Sequence, residues 1–86
     1  MEIHFKKGFV KAYQKLSQKE QIQVDLALET FQKDPFDPVL KNHALKGNLA
    51  GKRAISAAFD LRIIYTETDD HTVVTLLKAG SHNQVY

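Results

Sequence analysis

The sequence has 86 residues, 43% of them hydrophobic, with no cysteine and a formal net charge of +2. That length fits one domain, residues 1–86, near the small end of what folds alone, and the apolar fraction excludes a disordered chain. Without cysteine there is no disulfide framework and no thiolate metal site. No apolar run approaches the length that spans a membrane, and MEIHFKK lacks the apolar core of a signal peptide, so the expected location is cytoplasmic.

Taken in chain order, Glu2–Phe5 alternates and suits a short edge strand. From Lys6 the period changes. Phe9, Val10, Tyr13 and Leu16 recur at helical spacing, which predicts a helix over 6–16. Ser17 followed by Glu20 is a capping-box pattern, so a second helix is expected over 18–33. Its apolar face is Val24, Leu28 and Phe31, widened by Leu26 and Ala27. Asp34-Pro35 ends it, because a proline ring crowds the preceding residue out of helical geometry, and Asp37-Pro38 repeats the stop. The stretch VLKNHALKGNLAG, 39–51, is glycine-punctuated and basic and reads as a surface loop. Three β-like runs follow: Lys52–Ala58, Leu61–Thr66 and Thr72–Lys78, the last two joined by the turn ETDDH. The expected fold is α+β, in the order β-α-α-β-β-β. A helix hairpin covers one face of a mainly antiparallel four-stranded sheet. Tyr65, Phe59 and Phe31 are expected in its core, and His71 is expected to face solvent in the turn.

Charge is unevenly placed. Residues 1–37 balance six lysines against six acids, whereas 38–66 hold Lys41, Lys46, Lys52, Arg53 and Arg62 against Asp60 alone. Such a local positive field attracts phosphates. The four histidines, His4, His43, His71 and His82, have no metal-ligand spacing, and no cofactor is expected. If the meander is correct, its edge gathers His43, Arg53, Asp60, Arg62, His82 and the last residue, Tyr86. Those groups suit phosphodiester transfer on RNA. The ribose 2′-OH is an internal nucleophile, so the protein must supply a base, an acid and positive charge around the phosphorus. Imidazole fits the proton work, guanidinium the phosphate oxygens, and an aromatic ring an unpaired base.

The order of NHALKG (42–47), FDLRIIY (59–65) and the terminal GSHNQVY (80–86) resembles the RelE/ParE superfamily of bacterial type II toxins, nearest to YafQ-type mRNA interferases. The resemblance covers essentially the whole chain. It implies a RelE-like fold and a metal-independent endoribonuclease acting on mRNA in the ribosomal A site. It also implies a cognate antitoxin as partner. Residue by residue, His82 matches the acid–base histidine and Tyr86 the terminal aromatic that orients or stacks on substrate. His43 matches the loop histidine and Asp60 the strand-entry aspartate, either of which is a counterpart for His82. Arg62 resembles a phosphate-binding arginine, and Arg53 the arginine of the preceding strand, with Lys52, Lys46 and Lys41 as further phosphate contacts. One departure is Ser56, at a position where YafQ-type enzymes usually carry a histidine. Two other outcomes are compatible with the same fold. One is a ParE-like toxin that inhibits DNA gyrase without catalysis; the other is an inactive relic that only binds antitoxin.

Overall fold

The computed structural model describes residues 1–86. It is an α+β fold in which strand β1 (Glu2–Phe5) leads to helices α1 (Lys7–Lys15) and α2 (Gln18–Lys33). The strands β2 (His43–Ala44), β3 (Arg53–Ala58), β4 (Leu61–Thr68) and β5 (Val73–Gly80) follow, and a one-turn helix, α3 (His82–Val85), closes the chain. The sheet has five strands in the order β1-β5-β4-β3-β2. All neighbours are antiparallel except β1, which lies parallel to β5. No helix is long and apolar enough to cross a membrane.

Local signals account for most element ends. The Ser17 hydroxyl accepts the Glu20 N–H at 3.1 Å, and the Glu20 carboxylate accepts the Ser17 N–H at 3.1 Å, which starts α2. At the other end Asp34 is extended before Pro35, and its carboxylate accepts the Phe36 N–H. Helix α1 stops at Lys15, and Leu16 is extended, one residue short of the apolar period. The two helices are tied where the Tyr13 hydroxyl donates to Asp25 and the Gln21 amide donates to the Tyr13 carbonyl, both at 2.8 Å.

Alternation along the strands gives the sheet two distinct faces. One face carries Ile55, Leu61, Ile63, Tyr65, Val74 and Leu76 against Phe9, Val24, Ala27 and Phe31 of the hairpin. Each of the valines, leucines, isoleucines and phenylalanines among them contributes roughly 1.5–3 kcal/mol of transfer free energy. The other face bears a smaller cluster, Ala54, Ile64 and Val85, and is otherwise uncovered by the helix hairpin.

Three expectations need correcting, and one element, the C-terminal helix, is additional to those expected. The sheet has a fifth strand, because His43–Ala44 pairs with Arg53–Ala54 inside the stretch read as loop; the rest of that stretch includes two 3-10 turns. The C-terminal tail is helical. Phe59 is 97% exposed rather than in the core, since a register shift between Ser56 and Ala58 puts it at the tip of a tight turn beyond the last strand neighbours. His71 is buried rather than solvent-facing. Asp69, Asp70 and His71 all adopt positive φ, and this turns the His71 ring inward against Phe31, Phe36 and Tyr65.

Candidate active site

The C-terminal helix is built from a glycine, a cap and one apolar anchor. Gly80 lies at φ +156°, where L side chains are strained, and a side chain there would stand 2.7 Å from Gln84 Oε1 and force the glutamine out of its place, so glycine suits the position. The Ser81 hydroxyl accepts the Gln84 N–H at 3.3 Å, and Gln84 Oε1 accepts the Ser81 N–H at 2.8 Å. Serine with glutamine three residues on is the same capping-box signal that marks α2. It was present in GSHNQVY, but a four-residue helix is too short to show a period. Val85, 3% exposed, fastens the turn onto Ala54 and Ile64.

This arrangement fixes His82 as the first residue of α3, with an exposed side chain. Its backbone N–H donates to Asp60 Oδ1 at 3.0 Å, across 22 residues of sequence. One turn later the Tyr86 ring meets the imidazole edge to face, with centroids 4.5 Å apart. Burial pushes the Tyr86 phenol above the ordinary value of 10.0, and the nearby Arg62 charge pulls the other way. The phenol is therefore neutral at physiological pH and available as a hydrogen-bond donor.

Arg62 stands on β4 directly opposite Gly80 on one side and Ser56 on the other. A single nitrogen, Nη1, donates to Ser56 Oγ at 3.3 Å, to the Ala58 carbonyl at 3.1 Å and to the Phe59 carbonyl at 3.0 Å. The Ser56 hydroxyl in turn donates to the Ala58 carbonyl at 3.0 Å. Nε and Nη2 are left without a protein acceptor, so the guanidinium is held by one corner with the rest of its fork unspent. Asp60 and Arg62 form no ion pair. Asp60 sits in the β3–β4 turn, where its carboxylate holds α3 instead.

The remaining predicted residues divide between the two faces. His43, Ala54, Ile64 and Lys78 are register partners in one row across the sheet, so His43 shares the face of Arg62 and α3. Two strand spacings separate its backbone from that of Ile64, about 10 Å. Its Nδ1 lies 3.0 Å from the Lys41 carbonyl, and Nε2 has no protein partner. Arg53 is opposite Tyr65 and therefore on the hairpin face, away from Arg62. Its Nε donates to Asn42 Oδ1 at 2.9 Å, and its guanidinium lies 5.4 Å from the centre of the Phe36 ring. The expected gathering of both arginines on one edge is thus not what the sheet allows, because β3 and β4 pair Arg53 with a core tyrosine. Lys41 lines a groove between α2 and β3, while Lys46 and Lys52 flank the β2–β3 connection. Asn42 was missed as a structural residue: its amide donates to the Pro35 carbonyl and to the Tyr65 hydroxyl, clamping the chain into β2.

Chemically, the face that carries α3 offers the His82 imidazole, a partly free guanidinium and a neutral phenol around the β3–β4 turn and α3, with the His43 imidazole on the same face two strands from Ile64. That set can bind a phosphodiester and move two protons. No group of three or more His, Cys, Asp or Glu side chains converges as a metal site.

A family model described as bacterial toxin of type II toxin-antitoxin system, YafQ, matches residues 1–86. Among solved structures, E. coli YafQ has a TM-score of 0.81 at 22% identity, over 99% of this chain and 97% of that one, which speaks to fold alone. The toxin-antitoxin complex DinJ-YafQ from E. coli gives a TM-score of 0.76 at 25% identity, over 99% and 96%. A metal-bound toxin from Helicobacter pylori gives 0.71 at 26% identity, over 100% and 99%. No curated protein matches by sequence.

Proposed function

Because the chain belongs to the YafQ family of bacterial type II toxins, we propose that it is an endoribonuclease that cuts mRNA in the ribosomal A site and is neutralised by a cognate antitoxin. The observation that carries this reading is the exposed His82, its backbone held by Asp60 and its ring packed on Tyr86, two residues after Gly80, the register partner of Arg62. A pure binding protein has no need of an imidazole so placed. The antitoxin is supported by the family and by the solved relative bound to DinJ.

In the proposed reaction the scissile phosphate lies over Arg62, whose free Nε and Nη2 donate to the non-bridging oxygens. The ribose 2′-oxygen attacks phosphorus, and the bond from phosphorus to the 5′-oxygen breaks. One imidazole of the pair His82 and His43 takes the 2′-OH proton, and the other delivers a proton to the leaving 5′-oxygen. The products are a 2′,3′-cyclic phosphate and a 5′-hydroxyl. Tyr86 holds the adjoining base or phosphate, and Asp60 acts by positioning His82. Arg53 has a structural place in this scheme, bracing Asn42. Lys46 and Lys52 remain candidates for the RNA backbone beyond β2, and Lys41 for the groove beside α2.

The test is induced expression of wild type and His82→Ala with mapping of mRNA 5′ ends. Wild type is expected to arrest growth and produce new cuts. His82→Ala should lose about 100-fold or more of the cutting, the scale of a lost general acid or base. Growth arrest by wild type without new mRNA ends would remove the ribonuclease reading.

A further inference from the structure

A second basic feature lies on the other side of α3. The pairing of β1 with β5 stops at Leu76, so the outer edge of β5 beyond it faces α1 instead. Gly8 marks that close approach, since a side chain there would stand 3.3 Å from the Leu77 carbonyl oxygen. Between α1, the end of β5 and α3 opens a cleft of about 480 Å³. Lys11 and Lys15, one turn apart on α1, line it together with Lys78 of β5, while Gln84 and Val85 of α3 form the facing wall. The acid in the cleft is Glu20, whose carboxylate is engaged at the Ser17 N–H in the α2 cap. None of the three lysines has a carboxylate within 4.0 Å, and all three are exposed.

The cleft lies across α3 from the candidate active site. Lys78 precedes Gly80, the register partner of Arg62, by two residues, or about 7 Å along the strand. The single turn of α3 separates the two: His82 and Tyr86 belong to one side, Gln84 and Val85 to the other. We propose that the Lys11–Lys15–Lys78 cleft binds the phosphodiester backbone of the RNA strand next to the scissile phosphate. This rests on the ribonuclease reading given above. Flexible ammonium groups without fixed partners suit a backbone read by charge rather than by sequence. A protein partner is less well served, because lysine is depleted from protein interface cores, where aromatic and apolar anchors dominate. Exposed apolar side chains of that kind, Leu26, Val39 and Phe59, line the groove beyond β3, not this cleft.

The experiment compares the chain with its Lys11→Ala/Lys15→Ala/Lys78→Ala variant, both in a His82→Ala background. Binding of a short single-stranded RNA is measured by fluorescence anisotropy across a salt series. The expected result is weaker binding at low salt and a log–log salt slope shallower by about 2, since each neutralised phosphate on a single strand contributes about 0.7. With His82 restored, the triple variant should cut RNA with a raised KM and a kcat close to wild type, and should bind antitoxin as wild type does. An unchanged salt slope overturns the inference, as does failure of the His82→Ala chain to bind RNA at low salt. Loss of antitoxin binding with RNA binding intact also overturns it and assigns the cleft to a protein partner. A lysine-dependent slope in a wild-type protein that cuts no RNA supports the cleft and removes the nuclease reading instead.

Discussion

At the scale of single residues, the candidate site depends on how few bonds hold each group. Asp60 spends Oδ1 on the His82 backbone, not on Arg62 and not on an imidazole. A bond to a charged acceptor contributes roughly 1.5–3 kcal/mol, and about 1.4 kcal/mol of lost positioning is a tenfold loss of rate. Asp60→Ala should therefore lower cutting about tenfold, while Asp60→Asn, which keeps an acceptor oxygen, should retain most of it. Rates of both variants on one RNA substrate check this; equal losses would mean that the carboxylate charge itself takes part. Ser56 has a comparable place. Its hydroxyl accepts from Arg62 and donates to the Ala58 carbonyl, so serine here fixes the guanidinium corner rather than moving protons.

At the scale of elements, two helices share one capping device with different consequences. Ser17 starts α2, which packs its face on the sheet and lies away from His82. Ser17→Ala should cost about 1 kcal/mol and lower Tm by about 4–8 °C, with cutting unchanged. Gly80→Ala strikes the second box, because its new methyl would occupy the space of Gln84 Oε1. The stability loss should be similar, about 1–2 kcal/mol. The loss of cutting should be far larger, because α3 has only its cap, Val85 and the Asp60 bond to hold it. Thermal melts run beside cleavage assays separate the two; equal cutting by both variants would contradict this account of α3.

At the scale of the molecule, a buried polar network joins the turn after β4 to the chain entering β2. The Asn42 amide donates to the Tyr65 hydroxyl at 2.6 Å, which leaves the phenol hydrogen for Nε2 of His71 at 2.7 Å. Glu67 accepts the His71 N–H at 2.8 Å, and Arg53 braces Asn42 from the side. Burial raises the Tyr65 phenol above 10.0, partly offset by its bond from Asn42 and the Arg53 charge. A group raised in the fold contributes stability fully present below its unfolded value and lost as pH rises through the folded one. Stability should thus hold from neutrality to about pH 10 and fall beyond it as Tyr65 ionises. Tyr65→Phe should cost about 1–3 kcal/mol at neutral pH, because Asn42 and His71 lose their shared partner. It should also flatten the alkaline fall, although Tyr13 and Tyr86, raised as well, keep part of it. Denaturant midpoints measured across alkaline pH check both halves; an unchanged alkaline slope would exclude Tyr65 as a source.

The sequence alone determined the elements whose causes are local. The α2 span follows from a cap at Ser17, an apolar period and a proline after Asp34, and the β4 and β5 runs follow from their apolar stretches. The motifs NHALKG, FDLRIIY and GSHNQVY carried the family. Only the tertiary structure decided which side chains share a face. A period of two says that Arg53 and Ile55 point together, and likewise Arg62 and Ile64. It does not say which pair the helix hairpin covers, nor that Arg53 is opposite Tyr65 while Arg62 is opposite Ser56. The inward turn of His71, the pairing of His43–Ala44 and the bond from His82 to Asp60 likewise depend on strand register and on contacts between distant segments. Register is a property of paired strands, and no single stretch of chain contains it.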